Sequence, residues 1–175
     1  MKKRALKVRI VGGGLAGVEA AHLLASRGVG VDLFEMRPAR FTPAHKTGLL
    51  GELVCSNSLK GTDPETAHGL LKKEMQALGS LVIETALKTR VPAGKALAVD
   101  REAFAENLTR RIESNELISL IREEVEDIDP EIPTIIASGP LTSDRLAARL
   151  SEMTGSSRLF FYDAISPIID AGSID

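Results

Sequence analysis

The sequence predicts an α/β protein built on a parallel sheet, and three observations carry that reading. Val8-Arg9-Ile10-Val11 is an apolar run that enters Gly12-Gly13-Gly14-Leu15-Ala16-Gly17. Residues 18–26 then repeat apolar side chains at helical spacing. Val31-Asp32-Leu33-Phe34-Glu35 is a second apolar run, closed by an acid. A strand, a glycine turn, a helix and a strand make the crossover that parallel strands need. Gly12, Gly14 and Gly17 fall on the G-x-G-x-x-G spacing. Gly12 permits the tight turn, Gly14 lets the backbone approach a pyrophosphate, and Gly17 lets the helix pack closely. The helix start offers unpaired N–H groups and a partial positive charge to phosphates. Glu35 stands where an acid accepts hydrogen bonds from a ribose 2′-hydroxyl. Such glycines also serve plain packing turns, but strand, helix and acid in register favour a Rossmann-like dinucleotide cradle. An acid at position 35 repels a 2′-phosphate, so FAD or NAD(H) fits better than NADP(H).

The elements follow in order. Residues 5–11 read as a buried strand and residues 15–27 as its crossover helix, stopped by Gly28. Residues 29–35 form the second strand. Residues 36–60, with Pro38, Pro43, Gly48 and Gly51, read as a long ordered loop covering a ligand and carrying Cys55. Residues 64–85 are helical in pattern, with Asp63 as cap, Pro64 in the first turn, and Leu70, Leu71, Met75 and Leu78 as a core face. Gly79 interrupts before a second piece over residues 80–87. A turn at residues 91–94 precedes a strand at 96–99, and Asp100 caps a helix to about Ser114 with Phe104, Leu108 and Ile112 facing the core. With a strand at 117–121 this reads as a second β-helix-β unit. Residues 123–129 read as part of a short exposed strand or hairpin. Residues 134–137 read as a buried strand entering the Ser138-Gly139-Pro140 turn, followed by a helix to Met153 and a last strand at 159–162.

Size and composition bound the function. A chain of 175 residues suits one domain with a sizeable core. Aromatic content of 3%, with no Trp, removes the stacking surface of single-stranded RNA binders. The net charge of −2 argues against a general nucleic-acid footprint, although residues 1–60 hold ten Lys/Arg against four Asp/Glu. That basic third either attracts phosphates or is a solvated surface, and charge alone slightly favours the surface. One cysteine and three scattered histidines exclude a disulfide framework and a multi-cysteine zinc site, so no metal is predicted. Met1-Lys2-Lys3-Arg4 resembles the start of a signal peptide, but Lys7, Arg9 and the glycines break the apolar run. No segment approaches the ~20 apolar residues of a membrane span, which points to a cytoplasmic location.

Several residues can carry chemistry. The Ala137-Ser138-Gly139-Pro140 turn suits a second approach of backbone to a cofactor, or is an ordinary turn. Cys55 is either a small buried hydrophobe or a nucleophile activated by His45, Lys46 or Lys60. Arg37 and Arg40 are candidates for phosphate or RNA contacts, with a solvated loop as the default. His45 reads as structural or ligand-orienting rather than as a base. Asn57 and Ser58 either bond a substrate or cofactor or shape a turn.

Phe34-Glu35-Met36-Arg37-Pro38, Thr42-Pro43-Ala44-His45, Leu53-Val54-Cys55-Ser56-Asn57-Ser58, Arg90-Val91-Pro92-Ala93-Gly94, Ala96-Leu97-Ala98-Val99-Asp100-Arg101, Ser138-Gly139-Pro140-Leu141-Thr142-Ser143 and Phe161-Tyr162-Asp163-Ala164 follow the glycine turn in that order. Together they resemble the folate-dependent tRNA (uracil-5-)-methyltransferases of the TrmFO family. The resemblance covers the whole chain. It implies a two-dinucleotide-type FAD-binding fold. It also implies methylation of the T-loop uridine of tRNA, with 5,10-methylenetetrahydrofolate as the one-carbon donor and NAD(P)H as the reductant of FAD. Gly12, Gly13, Gly14, Leu15, Ala16 and Gly17 then map to the phosphate loop and Glu35, with Arg37 nearby, to the ribose side. Ser138, Gly139 and Pro140 map to a flavin-contacting turn in which the family commonly has Thr at the first position. Cys55 maps to the family's first functional cysteine. Family members are more than twice as long, and their second functional cysteine has no counterpart here. The expectation is an incomplete FAD-binding domain over residues 1–175, without the downstream substrate-binding part, impaired alone or completed by a partner chain. A generic FAD- or NAD-linked oxidoreductase and a non-enzymatic nucleotide-binding remnant are the alternatives.

Overall fold

The structure, a computed structural model, describes residues 7–155. Two sheets and five helices account for these residues. The larger sheet is parallel, with four strands: β1 (Lys7–Val11), β2 (Gly30–Phe34), β6 (Ile118–Ile121) and β7 (Thr134–Ile136), in the order β6-β2-β1-β7. Register pairs Ile10 with Leu33 on one side and with Ile135 on the other. The smaller sheet is antiparallel, in the order β3-β5-β4, from β3 (Ser58–Gly61), β4 (Arg90–Val91) and β5 (Ala96–Val99).

The first crossover forms as predicted. α1 (Leu15–Ala25) buries Val18, Ala21 and Ala25 and ends where Gly28, at φ +78°, donates its N–H to the Ala25 carbonyl. α3 (Leu81–Lys88) and α4 (Arg101–Glu113) pack on the same side of the parallel sheet. Phe104, Leu108 and Ile112 of α4 are fully buried in one cluster with Ile10, Leu33, Leu81 and Val99. The Asp100 carboxylate accepts the Ala103 N–H at 3.0 Å and caps α4. The other side of the sheet is thinly covered, by Ile128 and by Leu146 of α5 (Asp144–Thr154) against Val11.

Five expectations are corrected. The helix placed from residue 64 begins later, as α2 (Ala67–Ala77). Asp63 bonds the Glu65 N–H and the Thr66 N–H in a turn, and Thr66, accepting from the Gly69 N–H, is the cap. The supposed core face of α2 is largely outward: Leu78 is 67%, Leu71 54% and Leu70 50% exposed, with Met75 half-buried. Gly69, the buried residue of α2, sits against its own entry turn, where a Cβ would lie 1.8 Å from the Asp63 carbonyl oxygen. The second β-helix-β unit does not exist as one sheet, because β5 belongs to the antiparallel sheet and β6 to the parallel one. Residues 123–129 form no strand, and Ile128 among them is buried rather than exposed. β7 is not buried: among the described residues it lies at one edge of the sheet, with Ile135 and Ile136 each 38% exposed. The predicted strand at 159–162 lies outside the described residues.

Burial separates two substitutions in one measurement. Phe104→Ala empties the centre of the main cluster and is expected to lower the unfolding free energy by about 3–5 kcal/mol. Leu78→Ala on the open face of α2 is expected to stay within about 0.5 kcal/mol of the parent. Urea unfolding of the two variants and the parent checks both.

Candidate functional site

The glycine turn is built by contact as much as by conformation. Gly12 sits at φ +109° and donates its N–H to the Phe34 carbonyl at 2.8 Å. A Cβ there would lie 2.6 Å from the Ala137 carbonyl oxygen, so the turn is wedged between the ends of β2 and β7. A Cβ on Gly17 would lie 1.8 Å from the Gly12 carbonyl oxygen, so the first turn of α1 rests on the glycine turn itself. Gly14 differs: among the described residues, no atom beyond its own neighbours lies within 4 Å of a Cβ placed there. Gly14 also caps α1 without a side-chain bond, whereas α2, α3 and α4 are capped by Thr66, Ser80 and Asp100. The N–H groups that open α1 therefore face space instead of a cap.

That space is a cavity of about 300 Å³. Gly12, Gly13, Gly14, Leu15 and Ala16 form one wall, and Phe34, Glu35, Met36 and Arg37 another. Thr42, His45 and Val54 of the long loop close one end. Glu123, Glu124 and the Ser138-Gly139-Pro140 turn close the other. That turn is a single 3-10 turn, Gly139–Leu141, stapled by the Ser138 and Thr142 hydroxyls at 2.6 Å. The open backbone at Gly14 and the uncapped helix start suit a pyrophosphate, and the residues present fit a dinucleotide.

Behind the turn, Glu35 and Arg37 are almost fully buried, at 7% and 2% side-chain exposure. The Glu35 carboxylate accepts four hydrogen bonds. Oε1 takes the Arg37 main-chain N–H at 3.0 Å and Nε at 2.9 Å, and Oε2 takes the Gly13 N–H at 2.9 Å and an Arg37 Nη at 3.1 Å. Arg37 also reaches the Thr47 carbonyl at 3.2 Å and Glu52 at 2.8 Å. Arg37 is thus an internal tie, and the solvated-loop default does not describe it. Burial opposes the charge on Glu35, but the Arg37 hydrogen bonds and charge, with the Gly13 N–H, hold the carboxyl below its ordinary range. Glu52 is likewise held low against burial by the Lys46 and Thr47 N–H groups, the Thr47 hydroxyl and Arg37.

The long loop is less a cover than a foundation. Gly51 donates its N–H to the Gly13 carbonyl at 2.8 Å, and buried Leu50 donates its N–H to the Thr109 hydroxyl of α4. Arg122 adds bonds to the Arg37 and Gly48 carbonyls. His45 Nδ1 meets the Thr42 hydroxyl at 2.6 Å, and burial, then the Arg37 charge, push its pKa down. Cys55 is exposed and does not line the cavity, although Val54 beside it does. Of its expected activators, His45 is engaged with the Thr42 hydroxyl. Asn57 bonds the Val99 carbonyl and ties the loop to β5. Arg40 lies at the surface, paired with Glu124 at 2.6 Å. Glu52, Thr109 and Arg122 escaped the sequence reading, because their partners lie 15 to 85 residues away and no local spacing marks them.

A parallel sheet, a glycine turn with an uncapped helix start, and an acid at the end of β2 around one cavity define a dinucleotide-binding protein of the Rossmann type. Within that class the chain belongs to the glucose inhibited division protein A family, which residues 7–175 match. It is 58% identical over 169 residues to the "Methylenetetrahydrofolate--tRNA-(uracil-5-)-methyltransferase TrmFO" of Aquifex aeolicus, covering 97% of this chain and 38% of that protein. The protein of the same name from Geobacter sulfurreducens is 58% identical over 168 residues, again at 38% of its length. The chain therefore spans less than half the length of these curated relatives. Among solved structures, Aquifex aeolicus GidA superposes with a TM-score of 0.56 at 23% identity, over 74% of this chain and 21% of that one. That likeness is one of fold, the Rossmann-type fold of FAD-binding proteins. Among the described residues no helix is long and apolar enough to cross a membrane, and no cluster of His, Cys, Asp and Glu can hold a metal ion.

The lowered pKa values carry a sign. Glu35 and Glu52 stabilise the fold above the ordinary glutamate pKa of about 4.3, and that contribution is lost as pH falls through their lower folded values. The melting temperature is expected to drop between about pH 5 and pH 3. Glu35→Gln is expected to start lower and to flatten that slope, which melting curves across the range check.

Proposed function

We propose that this chain is the FAD-binding part of a methylenetetrahydrofolate-dependent tRNA (uracil-5-)-methyltransferase. The open backbone at Gly14, facing the cavity at the start of α1, carries the cofactor reading. The relatives that are 58% identical to it over 168 or 169 residues, 38% of their own length, carry the reading of the reaction. Gly12, Gly13, Gly14, Leu15 and Ala16 hold the pyrophosphate, and Gly17 keeps α1 seated on the turn. Glu35, aimed by Arg37, faces the ribose, and Ser138, Gly139 and Pro140 meet the flavin end. FAD, reduced by NAD(P)H, supplies the reducing equivalents that turn the methylene group of 5,10-methylenetetrahydrofolate into the methyl group of 5-methyluridine. Cys55 is the one thiol of the chain and the candidate nucleophile toward the tRNA base. Residues 36–60 seat the cradle from behind and close one end of the cavity. The tRNA and folate surfaces fall to the rest of the length that the relatives have, in the same polypeptide or in a partner chain. A tRNA substrate suits a cytoplasmic protein.

The exposure of Cys55 away from the cavity favours a second reading, a nucleotide-binding module without a cysteine step. It takes two forms: a generic FAD- or NAD-linked oxidoreductase, or a non-enzymatic remnant.

The purified chain is expected to retain flavin, seen in its absorbance spectrum. Gly14→Ala keeps the parent's melting temperature and loses most of the flavin, because its methyl group meets no atom of the described residues beyond its own neighbours but stands in the cavity. Gly17→Ala is expected to lose stability outright. Flavin binding equal to the parent in Gly14→Ala sinks the cradle assignment. Methylation of unmodified tRNA with methylenetetrahydrofolate and NAD(P)H, measured with the rest of the relatives' length supplied in the same polypeptide or as a partner chain, separates the readings. Cys55→Ala abolishes it under the methyltransferase reading, and leaves NADH turnover unchanged under the oxidoreductase one.

A further inference from the structure

We propose that Arg37 is a positioning residue that aims Glu35, and that this clamp sets the cradle's preference for a ribose with a free 2′-hydroxyl. The inference rests on the nucleotide reading of the cavity and deepens it by naming what selects the ribose.

An ionised carboxylate offers about four lone-pair sites. In Glu35 all four are taken. Oε1 belongs wholly to Arg37, through the main-chain N–H and Nε. Oε2 is shared between an Arg37 Nη and the N–H of Gly13, a residue of the cavity wall. The fork of Arg37 therefore fixes the plane of the carboxylate and leaves Oε2 as the oxygen on the glycine side. A ribose hydroxyl reaches Glu35 by joining or displacing a donor at Oε2, while Oε1 stays held. Lysine has a point charge and no planar fork, and cannot hold both oxygens in that plane.

Arg37 is itself fixed from its far side. Its Nη1 bonds Glu52 at 2.8 Å and the Thr47 carbonyl at 3.2 Å, and Glu52 gathers the Lys46 and Thr47 N–H groups and the Thr47 hydroxyl. Two carboxylates and one guanidinium leave the cluster with one net negative charge. A 2′-hydroxyl donates to such a cluster, whereas a 2′-phosphate brings further negative charge to it. Remove Arg37 and two carboxylates face each other across a buried gap. Glu35 then turns or takes a proton, and no longer distinguishes a hydroxyl from a hydrogen.

Calorimetric titration of the full chain with ADP and with 2′-deoxy-ADP tests the clamp. The parent is expected to bind ADP tighter by roughly tenfold or more, the size of a hydrogen bond to a charged group. In Arg37→Ala the ratio is expected to fall within about threefold, and Arg37→Lys, keeping the charge without the fork, fails to restore it. A merely structural role weakens both nucleotides alike and leaves the ratio at the parent's value, which overturns the proposal. If Arg37→Ala does not fold by circular dichroism, Glu52→Gln decides, because it cuts the anchor of Arg37 at a more exposed side chain. A reduced ratio there supports the clamp, and the parent's ratio overturns it. A parent chain that binds neither nucleotide sinks the cavity reading and the clamp together, whereas intact binding with an unaltered ratio sinks the clamp alone.

Discussion

A carboxylate and a guanidinium taken out of water at the end of β2 hold the cradle in shape. Moving each ion from water into the interior costs several kcal/mol, which attraction alone rarely offsets. Here the offset comes from number: Glu35 accepts four hydrogen bonds, and Arg37 spreads its donors over Glu35, Thr47 and Glu52. Breaking such a pair from one side leaves a buried charge and destabilises by about 3–5 kcal/mol. The long segment after β2 is ordered for this reason. It is pinned at Arg37, at Glu52 and at Gly51, and each pin ends on or beside the glycine turn.

The position of the cavity follows from strand order. β1 lies between β2, reached through α1, and β7, reached from the far end of the chain. The chain leaves β1 in one direction and returns on its other flank, so a crevice opens beyond the carboxyl ends of these strands. Both flanks contribute to it, Glu35 from the end of β2 and the Ser138 turn from the end of β7. The wall toward α5 is thin, with Leu146 and Ile128 as its chief cover against Val11. The opposite side of the sheet is packed by α1, α3 and α4, whose buried side chains join those of the strands in the main core cluster.

How much of this was legible in the sequence depends on the range of the interactions. The first crossover was readable from periodicity, because residues 7–34 settle their own contacts: Gly17 meets Gly12, and Gly12 meets Phe34. The Asp100 cap and the Phe104, Leu108, Ile112 face were readable for the same reason. The face of α2 was misread, since Leu70, Leu71 and Leu78 have the spacing of a core face and burial is decided by neighbours that periodicity does not see. Strand membership was misread where β5 and β6 flank one helix yet enter different sheets. At the site, Glu35 and the Ser138 turn, each singled out by a local string, line one cavity. The buried state of Arg37 was not, because Glu52 and Arg122 answer it from distant loops.

The edge position of β7 has a consequence for what can pair with it. Sheet edges in stable proteins are blunted by inward charge, by bulges, or by a covering helix or loop. β7 carries Thr134, Ile135 and Ile136, and among the described residues it has β1 as its single neighbour. Pro133, just before it, removes one donor but guards only the entrance. Among the described residues its outer backbone groups are therefore unpaired, and an edge of that kind is a template on which a further extended segment can add as a strand.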